Sequence, residues 1–417
     1  MTLEIINNKK RNFRGKYKCI LEKYSKEEIT YFQSLNNNNK NKILDLETQI
    51  NNFNANKEPL RFKLLSLNTT IENKIVILRK YEELLHLEKN SSEYAKLFKW
   101  ITTITYIPFG IYKEINYKNK LISNFLNDIK IGLDKNIYGH TETKQQLIRI
   151  LAQYISNPNA KGYVIGIQGS MGIGKTKFIK DGIAKVINYP LAFIPLGGIS
   201  DSSYLKGHSY TYEASTNGKI VDQLIKCKSM NPIIFFDELD KVSDSRYGEE
   251  IINTLIHLTD TTQNDKFTDK YLEDIDLDLS KSLIFFTFNN IENISPILLD
   301  RMIVININKY TRDDKLKLTR HSLLETIYNS YNLKINDVTI SDEMLYYIID
   351  NTTEEDGVRN LQRNINNIYS YINLNRYMPI VNDSNIIKFP YDITKEFINK
   401  YIILKKEDNK NNLSMYL

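Results

Sequence analysis

The sequence predicts an α/β fold: a parallel sheet with helices on both faces, a small helical unit after it and a helical region before it. Three observations carry this. A glycine-rich stretch, Gly169-Ser-Met-Gly-Ile-Gly-Lys175-Thr176, stands between an apolar run and a helical pattern. Continuous apolar runs alternate with helical patterns from Tyr163 to Phe288, as strands buried on both faces require. Beyond Thr311 the strand signals fade and helical periodicity takes over.

Taken in order, residues 1–40 are basic and polar, with Lys9, Lys10, Arg11, Arg14, Lys16 and Lys18 close together, and the asparagine run 36–39 reads as a loop. Helical spacing appears from Lys42 to Ile50, Leu60 to Leu65 and Ile71 to Leu85. Residues 1–130 therefore read as a helical region that positions the α/β domain, which spans residues 131–309. The strands of that domain are predicted at Tyr163–Ile167, Leu191–Ile194, Asn231–Asp237 and Ser282–Phe288, and its helices at Phe178–Ile187, Ile220–Lys226 and Ile251–Leu258. Helical patterns at Leu316–Thr326, Asp342–Asp350 and Val358–Asn375 mark a lid domain over 310–403, and 404–417 is a charged tail.

Composition sets outer limits. The 417 residues suit two or three domains, and 41% hydrophobic content suffices for a core. A net charge of +6 permits nucleic-acid contact without demanding it. Cys19 and Cys227 form no C-x-x-C pair, and no H-E-x-x-H spacing occurs, which argues against thiolate or zincin-type metal sites. The longest apolar patch, Trp100–Tyr112, is too short to span a bilayer, and the N-terminus has no apolar leader. An intracellular, cytoplasmic location without membrane contact is expected.

The glycine-rich stretch fits G-x-x-x-x-G-K-[S/T] at every fixed position. A strand feeding such a turn into a helix makes an anion site from backbone N–H groups. Gly169, Ser170, Met171, Gly172, Ile173 and Gly174 would wrap the phosphates. Lys175 would reach the β/γ-phosphates, and the Thr176 hydroxyl would ligate Mg²⁺. The alternative is a chance glycine-rich turn, but the flanking strand and helix argue for a nucleoside triphosphate. Ile233-Ile-Phe-Phe-Asp237-Glu238 is an apolar strand ending in two acids. Ligands lie beyond the carboxyl ends of parallel strands, so Asp237 would face Mg²⁺ through a water and Glu238 would act as general base. Asp240 and Lys241 continue the turn and read as structural. Asn289 ends the next strand, where an amide could align the attacking water; Asn290 competes for that role, and a plain turn asparagine is the bland alternative. Phosphoryl transfer also needs positive charge on the γ-phosphate, but spacing alone does not select among the arginines.

The order of motifs resembles an AAA+ ATPase, and more narrowly the ATPase module of Lon proteases. The likeness runs from about Leu133 to Met378 through Ile137-Tyr-Gly139, the phosphate loop, Pro195-Leu-Gly-Gly-Ile-Ser-Asp201, Leu205-Lys-Gly-His208, Thr211-Tyr212, Gly218-Lys-Ile220 and Asp237-Glu-Leu-Asp-Lys241. It continues through Gln263-Asn264, Phe267-Thr-Asp269, Tyr271-Leu272, Leu298-Leu-Asp-Arg-Met302 and Asp356-Gly-Val-Arg-Asn-Leu361. A fainter likeness covers Ser92-Glu-Tyr through Ile107-Pro-Phe-Gly110.

The resemblance implies ATP and Mg²⁺ as ligands. It makes Asn289 sensor 1, Arg301 a finger acting on a neighbouring subunit and Arg359 sensor 2, with Tyr138 beside the adenine and Tyr212 the gripping aromatic of a pore loop. It further implies a homo-oligomeric ring, a hexamer, working on unfolded or misfolded polypeptide. Glu213-Ala214 departs from the family's aliphatic residue and glycine after the aromatic, which weakens the expected grip. Lon enzymes continue into a peptidase domain with a Ser-Lys dyad. Here the sequence ends at Leu417, soon after Ile403, whereas a catalytic domain needs on the order of 100 residues. The expectation is an unfolding or remodelling ATPase in which Ser414 is no nucleophile and no peptide bond is cut. The competing expectation is a nucleic-acid-binding ATPase that uses the basic N-terminal stretch. A third is a nucleotide-gated scaffold too slow to be a motor, against which the intact Asp237-Glu238 pair argues.

Overall fold

The computed structural model describes residues 24–53, 58–115, 121–157, 162–199, 201–212, 214–242, 246–378 and 387–400. The basic cluster Lys9–Lys18, Glu213, Ile403 and Ser414 lie outside the described residues. The chain divides into two compact units, Met1–Ser66 and Leu67–Leu417.

The first unit holds helices Lys26–Ser34, Asn37–Phe53 and Leu60–Leu65. Ser25 opens the first with a capping box: its Oγ accepts the Glu28 N–H, and the Glu28 carboxylate accepts the Ser25 N–H. The asparagine run is not the loop expected from its composition. Asn36 Oδ1 accepts the Asn39 N–H at 2.9 Å, so Asn36 acts as the cap and residues 37–39 are the first turn of the helix. Asparagine's weak helix propensity is offset by its strength as a cap.

In the second unit, helices Ile71–His86 and Ser92–Tyr106 are capped by Thr70 and Ser91. Two buried polar side chains fasten this helical pair to the α/β part. Asn73 donates to the Asp276 carbonyl at 2.9 Å and accepts the Asp276 N–H at 3.0 Å. The Trp100 indole donates to the Tyr271 carbonyl at 3.0 Å.

The main sheet contains β1 (Val164–Gln168), β2 (Leu191–Pro195) and β3 (Ile233–Asp237). A two-stranded hairpin, β4 (Phe267–Thr268) and β5 (Asp276–Leu277), comes next in the chain. β6 (Leu283–Phe288) and β7 (Ile303–Asn306) complete the main sheet. Its order is β2-β3-β6-β1-β7, with every pair parallel. Phe235, Phe236, Phe285 and Phe286 are fully buried because helices cover both faces. β7 is absent from the sequence-based expectation. It is a four-residue edge strand in which only Ile305 is buried, too short to stand out as a run.

The segment after the phosphate loop is helical as expected, but Phe178–Ala184 is wound as a π-helix. Gly182 lets it lie close against Ile137 and Leu133, where a Cβ would stand 3.2 and 3.4 Å from their side chains. The lid carries helices Arg312–Leu318 and Leu324–Tyr331 joined through the π-turn Thr319–Leu323, then Asp342–Asn351 and Arg359–Tyr377. It also holds a short parallel pair, β8 (Val338–Thr339) and β9 (Tyr391–Asp392), beyond the helices predicted. Its core gathers Leu345, Ile348, Ile365, Ile368 and Ile372. Among the described residues no helix is long and apolar enough to cross a membrane.

Candidate functional site

Strand order assembles the site. β6 lies between β3 and β1, so its carboxyl end, at Asn289, falls between the acids that follow β3 and the loop that follows β1. A cavity of about 560 Å³ opens there. Its wall includes Gly172, Lys175, Thr176, Asp237, Glu238 and Asn289, together with Tyr138 and Arg359.

The loop has the shape a phosphate needs. Gly172 and Gly174 take φ of 79° and 96°, which disfavour other residues, and a Cβ at Gly174 would meet open space while its backbone faces the cavity wall. Gly169 closes β1 and Ile173 is buried; Met171 is exposed at the rim. The Lys175 ammonium donates to the carbonyls of Gly169 (2.6 Å) and Ser170 (3.0 Å) and to Asn289 Oδ1 (2.7 Å). Burial lowers its pKa, while Asp240, Asp237 and Glu238 work in the opposite direction.

Thr176 Oγ1 donates to Asp237 Oδ2 at 3.0 Å, and the other Asp237 oxygen accepts from Thr287 Oγ1. Thr287 also accepts the Glu238 N–H at 3.3 Å. Glu238 itself has φ 62° and ψ 49°, a left-handed conformation that costs a non-glycine residue on the order of 1 kcal/mol. This kink turns the second acid out of the strand direction. Its carboxylate pairs with Lys241 at 2.6 Å, both half-exposed, a pairing that holds it only weakly.

The donor set fits a nucleoside triphosphate with a hard divalent cation. A hydroxyl and a carboxylate converge beside the phosphate cradle, and among the described residues no group of three or more His, Cys, Asp or Glu side chains forms a metal cage. Mg²⁺ is commonly held in that way, by one or two protein oxygens plus phosphates and waters.

Elsewhere in the cavity wall, Tyr138 lies beside the His321 ring, with centroids 6.3 Å apart. His140 contacts the Tyr310 hydroxyl at 2.6 Å, and burial pushes its pKa down to about 4. The lid is bonded directly onto the loop: Ser170 Oγ donates to Asp356 Oδ2 at 2.6 Å, and the Val358 N–H donates to the Gly172 carbonyl at 3.2 Å. Gly357 permits this approach, since a Cβ there would stand 2.3 Å from the Gly172 backbone.

Four predicted residues are not in this wall: Gly169 and Ser170, on the loop just before it, and Arg301 and Tyr212. Arg301 lies elsewhere, with Nη2 3.0 Å from Asp260 Oδ2 and Nη1 donating to the Ile256 carbonyl. Tyr212 is 66% exposed on the loop between Gly207 and Gly218. The ends of that loop are drawn together: the His208 N–H donates to the Thr216 carbonyl, and buried Asp269 accepts the Gly218 N–H at 2.7 Å. Sequence reasoning gave no site role to Thr287, Tyr310 or Asp356, although Asp356 opens one of the matched motifs. Thr287 left a signal, as the one polar residue in an otherwise apolar strand.

Comparison with known proteins agrees with the fold. Residues 165–309 match the ATPase family associated with various cellular activities (AAA), and residues 329–375 match the Lon protease AAA+ ATPase lid domain. A Lon protease homolog of Acanthamoeba polyphaga mimivirus is 36% identical over 338 residues, 79% of this chain and 33% of that protein. The Lon protease of Clostridium acetobutylicum is 36% identical over 256 residues, 60% of this chain and 32% of its own length. Lon protease homolog 3, mitochondrial, of Arabidopsis thaliana is 33% identical over 299 residues, 72% of this chain and 31% of its own. The chain thus spans about a third of the length of these curated relatives. An AAA domain followed by a Lon-type lid, in that order and on this fold, places the chain among the Lon-type AAA+ ATPases.

Proposed function

We propose that this ATPase is a ring-forming motor that hydrolyses ATP to unfold or remodel polypeptide. The observation that carries the reading is the convergence of the phosphate loop, Asp237-Glu238, Asn289 and Arg359 on one cavity. In this reading 131–309 is the ATPase core, 310–403 its lid and 1–130 the helical approach. The backbone of Gly169–Gly174 and Lys175 bind the phosphates, with Tyr138 at the base. Thr176 directly and Asp237 through a water would hold Mg²⁺, which would supply positive charge against the phosphate oxygens. Glu238 takes the proton of the attacking water, Asn289 orients that water, and Arg359 carries the lid's response to it. Arg301 serves the site of the next subunit in the ring.

The exposure of Tyr212 on a loop pinned at both ends supports a polypeptide as the moving load. The test measures ATP turnover with and without a permanently unfolded protein, and again with DNA. Polypeptide should stimulate turnover. Glu238→Gln should bind ATP yet turn it over at least 100-fold more slowly, in keeping with the usual worth of a general base. Stimulation by DNA alone, steeply lost with salt, would replace this reading with a nucleic-acid motor.

A further inference from the structure

Asp240 has a place that neither the phosphate loop nor the acid pair explains. It sits in the 3-10 turn Leu239–Lys241 directly after the acids. Its Oδ2 accepts the backbone N–H of Asn289 at 3.1 Å and of Asn290 at 3.3 Å. One side chain from beyond β3 thus holds the backbone at the end of β6. The Asn289 side chain, fixed by that backbone, accepts from Lys175 at 2.7 Å. Asp240 Oδ1 is buried and has no hydrogen-bond partner among the described residues, although Asp240 borders the cavity.

These facts fit a working part better than a turn. A solvated turn residue would make neither bond to the end of β6, so the carboxylate has a use at this spot. The clamp also joins two strand ends that carry different groups of the site. Without it, Asn289 could shift relative to Glu238 while each strand stayed intact. We propose that Asp240 is a positioning residue for ATP turnover, which fixes the end of β6 so that the Asn289 amide keeps its distance from Lys175 and the acid pair. It acts through Asn289 and does not touch the substrate. The inference rests on the role proposed for Asn289 in orienting the attacking water.

The experiment compares Asp240→Ala, Asp240→Asn, Asn289→Ala and the Asp240→Ala/Asn289→Ala double variant in the full chain. It reads kcat for ATP and, separately, the Kd of a fluorescent ATP analogue. Asp240→Ala should lower kcat by about 10- to 100-fold, the scale of a misplacement near 1 Å, with Kd changed by less than about threefold, since the loss falls on the transition state. Asp240→Asn keeps an acceptor oxygen and should recover most of the rate. The double variant should be no slower than Asn289→Ala, because the two losses share one route.

Multiplied losses in the double variant would overturn the proposal. So would a Kd loss as large as the kcat loss, or an Asp240→Asn rate no better than that of Asp240→Ala. If Asn289→Ala is slow and Asp240→Ala runs at the parent rate, the inference alone fails. If Asn289→Ala runs at the parent rate, the role of Asn289 fails and the inference falls with it. Should Asp240→Ala not fold, Asp240→Asn carries the test: its smaller kcat loss must vanish in the Asn289→Ala background, and persistence there overturns the proposal.

Discussion

At the scale of single residues, His140 shows how burial turns a side chain into a pH-dependent element of stability. Burial, and after it the charge of Lys144, holds its pKa at about 4, while a backbone hydrogen bond with Ile173 and then the charge of Asp314 pull the other way. The unfolded chain, with an ordinary histidine near 6.5, therefore binds more protons between those two values. Stability rises with pH across that window and is lost as pH falls through it. His140 also sits at φ 54°, a conformation asparagine tolerates. His140→Asn should then flatten the fall in melting temperature between pH 6.5 and 4, even if it lowers all values by removing the Tyr310 contact. Thermal scans at half-unit steps decide this, and parallel profiles for parent and variant would show that His140 is not the titrating group. The residues legible in the sequence were those whose chemistry is local. Gly169 to Thr176 form one turn, and Asp237-Glu238 end one apolar run. Thr287 and Asp240 were given no site role, because their partners lie about fifty positions away and become neighbours only when β3 pairs with β6; the lone polar Thr287 in its apolar strand was the one hint.

At the scale of elements, the parallel strands were legible because burial on both faces leaves unbroken apolar runs. β7 escaped because an edge strand needs no such run, and the π-wound turns at Phe178–Ala184 and Thr319–Leu323 escaped because periodicity does not separate them from α-helix. The attachment of the helical pair 71–106 to the β4–β5 hairpin was also hidden. It depends on Asn73, a residue that composition assigns to loops and turns, acting here in place of a missing strand: its amide pairs with both the N–H and the C=O of Asp276. The Asn73 side chain is almost wholly shielded, at 2% exposure. Removing it strands two backbone groups, at about 1–3 kcal/mol for each that water does not reach. Asn73→Ala should therefore raise hydrogen exchange at β5 and the Asp276 amide by about tenfold or more, with the β1–β6 core unchanged. Equal protection at Asp276 in both proteins would mean that the hairpin does not depend on this clamp.

At the scale of the whole molecule, the question is why Arg301 stands outside the cavity that the rest of the site shares. Its guanidinium is bound to Asp260 and to the Ile256 carbonyl near the end of helix Arg246–Thr259. An arginine held by a carboxylate on its own subunit is oriented, and the pair is only partly exposed. That suits a group presented to a neighbour rather than one that folds back on its own phosphates. In a ring, each catalytic boundary would then combine Glu238 from one subunit with Arg301 from the next. Arg301→Ala should reduce turnover by about 10³-fold or more, the usual size of a finger effect, while ATP affinity falls much less. Mixing is the sharper measurement, because Arg301→Ala and Glu238→Gln damage different halves of a boundary. A mixed ring contains some boundaries with both groups intact, so activity should partly return as the two variants are combined. If mixed assemblies form, as mass measurement of differently tagged subunits can establish, and activity stays absent, Arg301 works within its own subunit. Its pairing with Asp260 would then be a structural tie of the ATPase core and not part of a shared site.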